Sequence, residues 1–174
     1  MKNRMWLGMS LMAVLLWIGG ALAGPEMGAV TQPKNDAFDV IKGLAGTWVA
    51  VKTEAGKKPQ TLVFKTTSGG SAVMESMFPG EDCEMVNLYT QEGPAVVMVH
   101  YCAMGNQPRM KATGIKDGVL KFEYVDGGNI KSRDDAHMDS VELTIKGDTL
   151  VEKWTHYAHG KVQGEVSFEF KKQG

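Results

Sequence analysis

Cys83-Glu-Met-Val-Asn-Leu-Tyr-Thr90, a turn at Glu92-Gly93, Val96-Val-Met-Val-His-Tyr-Cys102 and then Gly105-Asn106-Gln107-Pro108-Arg109 form the stretch that decides the fold. β-Branched and aromatic residues run in short alternating segments, and glycine-containing dipeptides interrupt them, so the stretch reads as three neighbouring antiparallel strands. The same pattern continues in both directions. It predicts strands near 47–55, 60–68, 71–78, 84–91, 95–103, 108–116, 119–125, 137–146, 149–158 and 161–171, separated by turns such as Gly69-Gly70, Pro79-Gly80, Asp117-Gly118 and Gly147-Asp148. The expected fold is all-β: a ten-stranded antiparallel up-and-down barrel, closed because closure removes exposed edges. Asn35 caps a short N-terminal helix with Phe38, Ile41 and Leu44 on one side. Asp126 to Ala136 is the one long polar loop, a candidate lid or rim.

The chain divides into three segments. Residues 1–23 read as a secretory signal, with Lys2 and Arg4, an apolar core from Met5 to Ile18, and a small-residue site at Ala21-Leu22-Ala23. That core is shorter than the roughly 20 residues of a membrane helix, so no membrane span is expected after signal removal. Residues 24–34 read as a flexible leader and 35–174 as the barrel domain. Export places the protein in a secreted or periplasmic setting, as a monomer or homodimer. Without the signal, the chain's 20 acidic residues leave it at net −3. No basic run interleaves with aromatics, which argues against a nucleic-acid partner. Two cysteines in an exported chain point to one disulfide.

Pleat parity, carried across tight turns, assigns faces. Leu120, Phe122 and Tyr124 define an inner side. Two-residue turns at Asp117-Gly118, Gly105-Asn106 and Glu92-Gly93 then bring Arg109, next His100 and Met98, and finally Asn87 and Tyr89, onto it. The opposite pleat, with Val86, Leu88, Val97, Val99 and Tyr101, is as apolar, and the alternative turns those residues inward and His100 out. The same register sets Cys83 opposite Cys102, and a bridge there would stabilise by roughly 3 kcal/mol. Free thiols are the other reading. Later in the chain, Val141, Leu143 and Ile145 mark an inner side that includes His137 and Asp139. A turn at Gly147-Asp148 pairs Val141 with Trp154 and Asp139 with His156. A three-residue loop, Ala158-His159-Gly160, keeps the last strand in step. The expected lumen is apolar and aromatic, with walls including Trp48, Phe64, Met74, Phe122, Trp154 and Phe168. Its convergent polar groups are Asn87, His100, Arg109, His137, Asp139 and His156. Such a mixture describes a small-molecule site.

Leu44-Ala45-Gly46-Thr47-Trp48 resembles the lipocalin and calycin superfamily, in which a short helix leads into Gly-x-Trp on the first strand and the Trp closes one barrel end. That resemblance implies an arginine late in the chain stacked on the Trp; this sequence offers Lys171 and Lys172. The strand count resembles the fatty-acid-binding and nitrobindin-like branches. The fuller pattern of Met74-Glu75, Phe78-Pro79-Gly80, His100-Tyr101-Cys102, Asn106 to Met110 and His137-Met138 resembles a family of secreted bacterial lipocalin-like proteins with no assigned function. Nitrobindin-like barrels hold haem through a late histidine, for which His156 is the nearest counterpart.

The leading expectation is a non-enzymatic barrel holding a small apolar, amphipathic or anionic molecule. Arg109 and His100 are its polar anchors, with Trp48, Asn87, Tyr89, Phe122, Tyr124 and Trp154 lining the site. Neither a cofactor nor a resident metal is expected. The alternatives are haem ligated by His156 or His100, and a hydrolase or isomerase using Asp139 with His156. A filled interior would favour a structural or protein-binding module.

Overall fold

The computed structural model describes residues 34–174; the expected signal and nearly all of the leader lie outside them. Helix α1 (Asp36–Gly43) starts where Asn35 Oδ1 accepts the Phe38 N–H at 3.1 Å, with Asp36 and Asp39 in the positive first turn. It buries Phe38 and Ile41.

The strands are β1 (Gly46–Ala50), β2 (Thr61–Thr67), β3 (Ala72–Met77), β4 (Met85–Glu92), β5 (Ala95–Tyr101), β6 (Gln107–Ala112), the two-residue β7 (Ile115–Lys116), β8 (Val119–Gly128), β9 (His137–Lys146), β10 (Thr149–Ala158) and β11 (Lys161–Lys172). Consecutive strands pair antiparallel from β1 to β6 and from β7 to β11, β1 pairs with β11, and β6 pairs with β8, so ten strands close into a barrel with β7 as an appendage of β8. The expected architecture is present. Phe64, Met98, Met110, Leu120, Phe122, Val141, Leu143, Leu150 and Phe170 fill the interior between Trp48 and Trp154, all at 2 % exposure or less. Trp48 donates its indole N–H to Leu44 O at 2.8 Å, and Lys172 Nζ lies 5.4 Å from its ring centroid. A lysine thus holds the cationic place that the lipocalin resemblance gives to arginine.

Register irregularities decide which side chains face inward. Ile115 pairs with Leu120, but Met110 pairs with Tyr124, a shift of one residue across Thr113-Gly114. Every side chain of β6 therefore changes face relative to the expected turn: Met110 is buried and Arg109 points outward. The next connection is also longer than expected. Residues 102–106 form the loop, closed by Cys102 N–H to Asn106 O at 3.0 Å, in place of a two-residue turn. This second change cancels the first, so His100 and Met98 face inward as expected. A bulge in β11 at Gln163, opposite His156 and Tyr157, keeps β11 in step after a two-residue His159-Gly160 turn, where a three-residue loop was expected.

Two strand ends also differ. Residues 126–128, assigned to the polar loop, extend β8, and Gly127 is required there: a Cβ would lie 2.9 Å from the Gln107 carbonyl oxygen. Residues 51–55, expected to continue β1, leave the sheet instead. The last backbone bond between these edges is Val51 N–H to Glu169 O at 2.8 Å. Beyond it β11 runs on against β10 alone, and the barrel wall splits.

Candidate functional site

Two polar regions emerge, one sealed inside the barrel and one at the split in its wall. The sealed region begins with parity on β3. Val73, Glu75 and Met77 face inward, which places Met74, expected inside, on the outer pleat. From β10, Glu152 enters between Leu150 and Trp154. Both glutamates are fully buried. Glu75 Oε2 accepts the Asn87 amide at 2.7 Å and the Tyr89 hydroxyl at 2.6 Å, and Glu152 Oε2 accepts the Trp154 indole N–H at 3.0 Å. The remaining oxygens, Oε1 of each, are buried without a donor, and each carboxyl acts electrostatically on the other. Two buried carboxylates acting on each other repel, which disfavours both being charged at once. Burial holds both carboxyls above the usual range. Glu152 lies well above it, because the Glu75 charge acts on it as well.

The network continues along β4 and β5. Asn87 has its amide on Glu75, so its oxygen accepts from His100 Nδ1 at 2.6 Å, which leaves His100 Nε2 as a buried acceptor without a donor. Burial pushes His100 down to about 4, and its ring packs 4.8 Å from that of Trp154. Burial also raises the Tyr89 phenol, with the Glu75 charge adding to it.

The expected site residues therefore separate into groups. Trp48, Asn87, Tyr89, His100, Phe122 and Trp154 share the interior. Arg109 does not join them: on the outer face it grips Asp126 with two hydrogen bonds, at 2.8 and 2.6 Å. Tyr124, His137 and Asp139 gather at the end of the barrel around Arg133, from the loop after β8. The Arg133 guanidinium lies 4.9 Å from the Tyr124 ring and 3.8 Å from that of Tyr157. It bonds to Asp139 and donates to His137 Nε2 at 2.8 Å, while His137 Nδ1 donates to the Asp135 carbonyl at 2.6 Å. The expected pairing of Asp139 with His156 does not form. A bulge leaves Asp139 unpaired between strands, and His156 lies opposite Met138. Asp139 lies instead 3.6 Å from His137 Nε2.

The cysteines are also placed differently. Asn87 pairs with His100, so the β4–β5 register is two residues from the expected one and Cys83 falls outside β4 in an exposed turn. Cys83 and Cys102 are free thiols, with the Cys102 thiol raised by burial.

The second region is the cleft where residues 51–60 leave β11. It measures about 580 Å³ and is lined by Lys52, Thr53, Glu54, Lys57, Lys58, Gln60, Glu81 and Phe168. A smaller hollow of about 220 Å³ adjoins it through Lys52, Gln60 and Phe168 and adds Ala50, Val151, Ser167 and Glu169. Lys57 is paired with Glu54 at 3.1 Å, whereas Lys52 and Lys58 have no carboxylate partner among the described residues. Phe168 forms an apolar wall and packs 5.6 Å from Phe78, a buried residue held at φ 57°. A bulky residue in the left-handed region is strained, and here the strain lies directly behind the cleft wall.

Glu75, Glu152 and the lysine-rimmed cleft were not among the expected site residues. Parity offered a signal for Glu152, which shares a pleat with Leu150 and Trp154. Searched against protein-family models and against curated proteins, the sequence matches none.

Proposed function

We propose that this chain is an exported, non-enzymatic barrel that binds a small amphipathic anion, with the wall cleft as the place of entry and binding. The barrel can hold a ligand, and the observation that carries the reading is the composition of the cleft. A phenyl wall adjoins two lysines that have no carboxylate partner among the described residues, in about 580 Å³, a volume suited to a small molecule. An acyl or aromatic tail would lie on Phe168 while an acidic head displaces water from Lys52 and Lys58. The interior supports this placement by contrast, because its aromatic residues are close-packed and its polar side chains are each held by at least one bond within the fold.

The test is titration with a fluorescent fatty-acid analogue. Wild type is expected to bind it, and Lys52→Glu/Lys58→Glu should weaken binding tenfold or more, about 1.4 kcal/mol. Phe168→Ala should weaken it as well. Failure of wild type to bind anionic amphiphiles, or full binding by all the variants, would overturn the reading. The haem alternative has one observation in its favour, the His156 Nε2 without a partner; His100 does not fit, since its ring is 1 % exposed and packed on Trp154. A Soret band on haem titration that disappears in His156→Ala would support haem instead.

A further inference from the structure

Glu75 and Glu152 act on each other across the lumen, and each keeps one buried oxygen that no donor reaches. β3 and β10 are not neighbours in the sheet; β2, β1 and β11 lie between them. Their interaction is therefore a cross-brace between opposite walls. A second one, the His100–Trp154 ring contact, joins β5 to the same strand. We propose that the two carboxyls form a proton-held tie, so that withdrawal of the shared proton sets two carboxylates against each other inside the barrel and loosens its walls. This inference does not depend on what the cleft binds.

The geometry supports it from every side. Across the strand pairs, Glu75 faces Phe64 of β2 and Asn87 of β4, and Glu152 faces Leu143 of β9 and Phe168 of β11. None of these carries a charge. The titratable groups within the network are the two glutamates, Tyr89 and His100. Among the described residues no lysine or arginine bonds to the pair, so none of them compensates a second negative charge there. Tyr89 and Asn87 both donate to Glu75, which makes Glu75 the natural carboxylate. Glu152, whose Oε2 takes only the neutral indole N–H, holds the proton.

Proton counting sets the sign. Both groups have raised values in the fold, so the folded barrel holds a proton that the unfolded chain has released above the ordinary glutamate range. Stability therefore falls as pH rises. His100 acts in the opposite direction, but only below its ordinary value of 6.5.

Urea unfolding of the whole chain between about pH 6.5 and about pH 9.5 tests the tie. Wild type should lose close to a factor of ten in its folding equilibrium constant per pH unit until Glu152 ionises. Glu152→Gln keeps a donor toward Glu75 and cannot ionise, so its profile should fall much less than that of wild type, with only the buried Cys102 thiol contributing at the alkaline end, and should cross above wild type there. The infrared carbonyl stretch of a protonated carboxyl should persist in wild type at about pH 8, far above the ordinary range for glutamate, and vanish in the variant. Parallel profiles would overturn the proposal, as would a flat wild-type profile. If Glu152→Gln fails to fold, the wild-type spectrum decides: no protonated-carboxyl band at that pH would also overturn it.

Discussion

The barrel interior and the wall cleft both contain charged chemistry, and they treat it in opposite ways. Inside, Glu75, Glu152, Asn87, Tyr89, His100 and Trp154 are joined in one buried network whose bonds run from residue to residue. In the cleft, Lys52 and Lys58 are exposed and lack a carboxylate partner among the described residues. A buried polar group must find its partner within the fold, because leaving it unpaired costs far more than the bond returns. An exposed one is free to find its partner in a ligand. Polar residues in a barrel lumen therefore do not by themselves mark a binding site; the deciding question is whether the fold already satisfies them.

Three substitutions probe that contrast, in descending order of effect. Trp154 supplies a fully buried indole, a donor to Glu152 and a stacking face for His100. Trp154→Ala should cost about 3–5 kcal/mol, read as a shift in urea midpoint, because it leaves a large cavity and an orphaned carboxyl. A loss below about 1 kcal/mol would mean the interior is loosely packed and open to ligand.

The acid limb gives the second effect. His100 is neutral in the fold with its value near 4, so its contribution is complete above 6.5 and is lost as pH falls toward 4. The stability gap between wild type and His100→Gln should therefore change by about 3 kcal/mol across that window. Tracking the gap between the two proteins removes the opposing contribution of the glutamate pair. An unchanged gap would indicate that His100 reaches solvent.

The smallest effect belongs to Arg109. Its ion pair with Asp126 lies on the outer face, half-exposed. Arg109→Ala should change stability by no more than about 1 kcal/mol and leave ligand affinity unchanged. A large loss of binding would return Arg109 to the site.

Much of the architecture was legible in the sequence, and the failures have a common physical cause. Strand number, antiparallel order and the Asn35-capped helix derive from turn residues, capping chemistry and apolar alternation, all of which are local, whereas the place of Trp48 came from the Gly-x-Trp resemblance. Facing is cumulative, because each bulge or odd change in loop length inverts the facing of every strand beyond it. One unpaired residue near Thr113-Gly114 turned Arg109 outward. The five-residue loop at 102–106 turned His100 back in. The bulge at Asp139 dissolved an Asp-His pair that simple alternation had built. The cleft was hidden for a different reason: the residues that leave the sheet, 51–55, keep a strand-compatible composition. Only the position of their neighbours shows that β11 has no partner there. Glu75 was missed with Met74, one residue out of phase.

Chemical-shift mapping during titration with an anionic amphiphile reads both regions of the contrast at once. Perturbations should concentrate on the backbone amides of Lys52, Lys58, Gln60 and Phe168, while the Trp154 indole N–H and the His100 ring signals stay in place. Shifts led by Trp154 and His100, with the cleft unmoved, would show that the ligand enters the sealed lumen and would contradict the account.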